Sequence, residues 1–199
     1  MSTLFETISQ QLGGSNLKEI AGKVGANEGQ TGAALSAALP MLLGALAKNA
    51  SKPDGAAALH QALEKDHDGT ILDNLPGYLS QADAGPGEGI LRHLLGNRRQ
   101  NVETGLSKST GMSSESISKL MVTLAPVVLG ALGRQQRQRK MNASSLTGFL
   151  GDERQSIQKQ APQAMGALNS LLDADGDGDV DMSDIAQKGA GMLGKLFKR

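Results

Sequence analysis

The 199-residue sequence contains no cysteine and no tryptophan, and its aromatic residues are Phe5, Tyr78, Phe149 and Phe197 alone. Without cysteine there are no disulfides, no thiolate zinc or iron–sulfur centres and no thiol nucleophile. The absence fits a reducing compartment. Net charge is missing as well, since 20 Lys and Arg balance 20 Asp and Glu. That balance argues against a protein held to nucleic acid by bulk electrostatics. The first residues, Met1 to Thr7, show neither a basic n-region nor a long apolar h-region. No secretory signal is read there, and the expected localisation is cytoplasmic. Long apolar runs are scarce too. Gly29 to Ala47 gives 19 residues without a charge, between Glu28 and Lys48. It is long enough to span a bilayer. Gln30, Thr31, Gly32, Ser36, Pro40 and Gly44 dilute it, so it reads as a buried core helix and not a membrane span.

What is present is an internal duplication. Val24-Gly25-Ala26-Asn27-Glu28 and the later Leu39-Pro40-Met41-Leu42-Leu43-Gly44-Ala45-Leu46 have counterparts 86 residues downstream. These are Thr110-Gly111-Met112-Ser113-Ser114 and Ala125-Pro126-Val127-Val128-Leu129-Gly130-Ala131-Leu132. Such a repeat must be settled before fold reasoning. In each copy a capping residue, Asn27 or Ser113, comes shortly after a glycine. A proline stands thirteen residues past each cap, where it is expected to kink or break the helix. Gly44/Ala45 and Gly130/Ala131 then form small-residue faces suited to close backbone approach, within the chain or in self-association. Upstream, Phe5 to Gly13 aligns with Ile90 to Gly96 if about three residues are inserted in the second copy.

Between the copies, Ser51-Lys52-Pro53-Asp54 reads as a helix cap. Ala58, Leu59, Ala62 and Leu63 mark one helical face. His67-Asp68-Gly69 breaks that helix, and Asp68 caps the next one. Ile71, Leu72 and Leu75 form a short stripe, and Ala82 to Gly89 reads as a loop. No alternating strand pattern occurs. The fold class is all-α: a duplicated multihelical domain over 1–140, a connector with a short helix over 141–161, and a helix–loop–helix tail over 162–199.

The Pro-x-x-Leu-Gly-Ala-Leu helix ends, the break at Leu63-Glu64-Lys65-Asp66-His67-Asp68-Gly69 and the unit Gly89-Ile90-Leu91-Arg92-His93-Leu94-Leu95-Gly96 resemble the YidB-like family, a bacterial domain of unknown function. The resemblance covers roughly residues 1–140. It implies a multihelical bacterial domain and supplies no catalytic residues.

Chemistry is most legible near the end of the chain. Residues 173–184 read Asp-Ala-Asp-Gly-Asp-Gly-Asp-Val-Asp-Met-Ser-Asp. A twelve-residue calcium loop draws ligands from positions 1, 3, 5, 7, 9 and 12 around a glycine at position 6. Those positions hold Asp173, Asp175, Asp177, the carbonyl of Asp179, Asp181 (directly or through water) and Asp184, with Gly178 at the turn and Val180 at the apolar position. The pattern resembles an EF-hand loop and, more closely, the single loop of a dockerin repeat. Position 12 departs from the EF-hand glutamate. Asp184 is one methylene shorter, which weakens Ca2+ and narrows its margin over Mg2+, the alternative occupant. A dockerin carries two loops, so a cohesin partner is not expected. Pro162 to Leu172 is the expected entering helix. The exiting helix carries Ile185, Gly189, Met192, Leu193 and Leu196 on a stripe. Without a cation the carboxylates repel one another.

Other signals are weaker. Arg134, Arg137, Arg139 and Lys140 form a basic segment with no interleaved aromatic for base stacking. It reads first as a helix end favoured by the macrodipole, and second as a nucleic-acid or envelope-surface contact. Gly85-Pro86-Gly87-Glu88-Gly89 lacks the preceding strand and following Lys-Ser/Thr of a phosphate loop. His60, His67 and His93 are scattered, and no catalytic constellation is found, so no enzyme is expected. The reading is a calcium-binding structural or interaction protein. Because free calcium is scarce in the cytosol, export without an N-terminal signal is its alternative setting.

Overall fold

The computed structural model describes residues 3–81 and 85–172, with side chains as far as residue 167. The helices are α1 (Leu4–Gln11), α2 (Ser15–Val24), α3 (Glu28–Ala50), α4 (Pro53–Lys65), α5 (Leu75–Gln81), α6 (Gly87–Leu95), α7 (Arg99–Thr110), α8 (Ser114–Arg139), α9 (Ala143–Gln160) and α10 (Pro162–Leu172). Short 3-10 turns occupy Thr70–Asn74 and Gly96–Arg98. No strand occurs among the described residues, so the fold is all-α.

The duplication is visible as two three-helix units, α1–α3 and α6–α8. Gly14 starts α2 at φ 62°, ψ −129°, and Gly96 at the matching junction has φ 51°, ψ −133°. Gly25 and Gly111 end α2 and α7, both with φ 70°. Left-handed backbone at these corners is why glycine recurs there. The capping residues beyond the corners act as the sequence implies. Asn27 Oδ1 accepts from the Gln30 N–H at 2.8 Å, and Ser113 Oγ from the Ser116 N–H at 3.0 Å. Burial keeps the same register. Leu4, Ile8 and Leu12 correspond to Gly87, Leu91 and Leu95 at an offset of 83. Ala34, Leu35 and Ala38 correspond to Leu120, Met121 and Leu124 at 86. The net three extra residues of the second copy fall between Leu95 and Gly111.

Pro40 and Pro126 neither break nor end their helices, contrary to expectation: α3 and α8 run on past them for 23 and 26 residues in all. Each proline frees one carbonyl, four residues earlier, at Ser36 or Val122. Ser36 is exposed, where solvent can meet its carbonyl. At Val122 the backbone of α6 closes in. A Cβ added to Gly87 would lie 2.0 Å from the Val122 oxygen, so the glycine Cα–H faces the freed carbonyl. Packing on both sides holds the proline turn in place, since Pro40 and Pro126 are buried.

Three local expectations change. Ser51 closes α3, and Lys52 precedes Pro53 at the first position of α4 without a side-chain cap. The expected loop over 82–89 gives way at Gly87, where α6 begins. The helix within 141–161 is not short. It is the 18-residue α9, which packs on α3 and α4 and buries Leu146, Leu150, Glu153 and Ile157.

Glu153 explains how α9 joins the core. Its carboxylate oxygens accept from the Leu4 N–H at 2.9 Å and the Phe5 N–H at 3.4 Å. Thr3 and Glu6 form a reciprocal capping box on the same helix start. All the free donors at the beginning of α1 are thus met, half of them from 148 or more residues away. The α10 helix packs against α3 and α9 and buries Met165. Helices α3 and α8 are long and apolar enough to cross a membrane, and most of the apolar window of each is buried by neighbouring helices.

Candidate functional site

The proposed calcium loop, Asp173 to Asp184, lies outside the described residues. The helix expected to enter it is described: α10 spans Pro162–Leu172, the last described residues before Asp173. Among the described residues no three His, Asp or Glu side chains gather as metal ligands.

The basic segment is described, and it faces the chain itself. Arg134 Nη2 donates to the Gly69 carbonyl at 2.6 Å and to Asp73. Arg137 donates to Asp68 Oδ2 at 3.3 Å and to the Glu64 carbonyl at 3.2 Å. Arg139 lies 4.9 Å above the centre of the Phe149 ring and donates to Gln135. Lys140 ends α8 in the left-handed conformation, φ 50°. Arg134 and Arg137 therefore clamp the break between α4 and α5 onto α8, a role no sequence pattern announces. The nucleic-acid reading gains no support from groups so engaged.

Small residues make that clamp close. A Cβ on Gly133 would meet the His67 carbonyl oxygen at 1.8 Å, and one on Gly130 would meet Ile71 Cγ2 at 2.3 Å. Within the break, Asp68 Oδ1 accepts from the Thr70 N–H at 2.9 Å and from the Thr70 hydroxyl at 2.7 Å. Those bonds, ahead of the Arg137 charge, hold the Asp68 carboxyl below its ordinary range. The small-residue face of α8 is thus occupied within the chain.

On the other side of His67 lies an apolar cleft of about 320 Å3, missed in the sequence because four separate helices build it. Leu46 and Asn49 come from α3, Leu59 and Ala62 from α4, Ile90 and Leu94 from α6, and Leu129 from α8. His67 and His93 add imidazoles to its lining. Neither ring has a hydrogen-bond partner among the described residues. The Asn49 carbonyl is pressed against α4, where a Cβ on Gly55 would come within 2.0 Å of it.

Half-burial lowers the His67 pKa from its ordinary 6.5, against a smaller opposing pull from Asp66. In the unfolded chain the ring takes up its proton first as pH falls. The contribution of His67 to stability is therefore complete above 6.5 and is lost on acidification toward the folded pKa. Urea unfolding across this interval should show stability falling with pH in the parent protein. The His67→Gln variant should lack that part of the slope, and an unchanged slope would remove the assignment.

These features define an all-helical domain built on a duplicated three-helix unit, with an apolar cleft between four of its helices. The family described as bacterial protein of unknown function (DUF937) matches residues 6–135, and the chain belongs to it. No curated protein and no solved structure matches the chain.

Proposed function

We propose that the protein is a calcium-binding interaction protein, YidB-like in its helical part, and not an enzyme. The observation that supports this reading is α10, a helix packed on the core whose described residues lead up to the aspartate series. A calcium loop needs a held entering helix. Asp173, Asp175, Asp177 and Asp184 would supply carboxylates, Asp179 a carbonyl and Asp181 a direct or water-bridged oxygen. With Asp rather than Glu at the twelfth position, affinity is modest and Mg2+ competes. Calcium then serves to fix the apolar stripe Ile185, Met192, Leu193 and Leu196 for a protein partner. In the cytosol such a loop would hold Mg2+ or stand empty; in a calcium-rich setting it fills.

Calorimetry of the full chain should show a saturable heat with Ca2+ at millimolar concentrations or below. Asp173→Ala and Asp177→Ala should each lose most of the affinity, and calcium should protect the tail from protease. Absence of any calcium heat sinks the proposal.

A further inference from the structure

We propose that the corner between α8 and α9 binds a free α-amino acid as its zwitterion. A pocket of about 440 Å3 opens there, lined by Glu64 of α4, by Gln136, Arg137 and Lys140 at the end of α8, and by Met141. That volume falls within the range of small-molecule sites. Two of these residues lower the stability of the fold. Gln136 is 4% exposed, and its Oε1 is buried without a hydrogen-bond partner among the described residues. A buried acceptor left unpaired is destabilising and requires an N–H or O–H donor to relieve it. Lys140, with φ 50°, is the one non-glycine residue described with a positive φ. Glycine would close α8 there without the penalty that a Cβ brings. Unfavourable choices that stand side by side on one pocket point to a bound molecule.

The charges say which molecule. Arg137 is turned to Asp68 and to the Glu64 carbonyl, so its charge is met within the chain. The Lys140 ammonium has no partner among the described residues. The Glu64 carboxylate lies 3.6 Å from Nδ1 of His60, whose Nε2 lies 3.1 Å from the Met141 carbonyl. A neutral imidazole has one N–H, and with that proton on the Met141 carbonyl it has none for Glu64. The pocket thus has an acceptor side, Glu64 and the Gln136 amide, and a cationic side, Lys140. An ammonium answers the first and a carboxylate the second. Rotation of the Gln136 amide turns Oε1 toward the ammonium, and Oε1 has no hydrogen bond to break. A simple anion or a simple cation would satisfy one side and leave the other unmet.

The pocket is separate from the aspartate series, so the test runs in chelator on the full chain and its outcome does not depend on calcium. L-Leucine is titrated while the amide resonances are followed by NMR. Saturable shifts are expected at Gln136, Lys140 and Met141. Leucinamide, which keeps only the ammonium, and N-acetylleucine, which keeps only the carboxylate, should each bind about tenfold more weakly or worse. Lys140→Gly and Gln136→Leu should each weaken L-leucine about tenfold or more and yet melt at or above the parent temperature, because each removes an unfavourable feature of the fold. A merely structural role would not couple lost binding to retained or raised stability. The proposal is overturned by the absence of saturable shifts, by either blocked analogue binding as tightly as L-leucine, or by either variant binding as the parent does. Melting of Gln136→Leu below the parent would also overturn it, because the carboxamide would then have a partner in the folded chain.

Discussion

Gly133→Ala should lower the melting temperature by about 10 °C, although alanine is the better helix former. The propensity gain of alanine over glycine inside a helix is about 1 kcal/mol. Against it stands geometry: the new Cβ would sit 1.8 Å from the His67 carbonyl oxygen and 3.0 Å from its carbon. The opposing atoms are backbone, and that backbone is held by Arg134 on Gly69 and Arg137 on Asp68, so it cannot step aside cheaply. Overpacking of this kind costs roughly 1–3 kcal/mol and more where the neighbour is rigid, and about 3 kcal/mol corresponds to roughly 10 °C for a chain of this size. Gly148→Ala on α9 is the control. Nothing lies within 4 Å of a Cβ there, the site is exposed, and the variant should gain up to about 1 kcal/mol. Calorimetric melting of both variants decides the matter. If Gly133→Ala melts at or above the parent temperature, α8 does not press on the break as described.

Glu153→Ala should be nearly as damaging, and its effect should concentrate in α1. Glu153 is 7% exposed, and its two oxygens answer the Leu4 and Phe5 amides. Removing them leaves two donors at a helix start without partners and takes a negative charge from the positive end of α1. The cost is about 2–3 kcal/mol. Hydrogen exchange should register it as roughly 100-fold faster exchange in α1, with little change in α7. Glu153→Gln keeps one acceptor and the shape and loses the charge, so its exchange should fall between the two. Equal protection of α1 in parent and Glu153→Ala would exclude the cap.

The corners of the repeat are legible in the sequence because their determinants are local. Glycine, a capping residue and an apolar stripe occur within a few positions of one another, and the chain folds there as those residues dictate. The prolines mislead because the penalty for a missing N–H depends on what meets the freed carbonyl, and Gly87 is 35 positions from Val122 in sequence. The α9 helix is concealed by the residue that docks it. Leu146, Leu150 and Ile157 share a helical face with position 153, and an acid there interrupts the apolar pattern. The arginines of α8 do close a helix, as their composition implies, but their partners at 64–73 are set by tertiary packing. The cleft has no sequence signature because its walls come from α3, α4, α6 and α8 and meet only through tertiary packing. The aspartate series is a local pattern in the sequence, and it lies outside the described residues.

The cap from α9 to α1 also separates two kinds of boundary. By family resemblance the unit stops at residue 135, yet the first helix is completed by a residue eighteen positions beyond that limit. A polypeptide trimmed to the matched region would lose both ends of that clasp, Leu4 and Phe5 at the start of α1 and Glu153 of α9. Ancestry marks off the shorter length; the packed helices reach further, through α10.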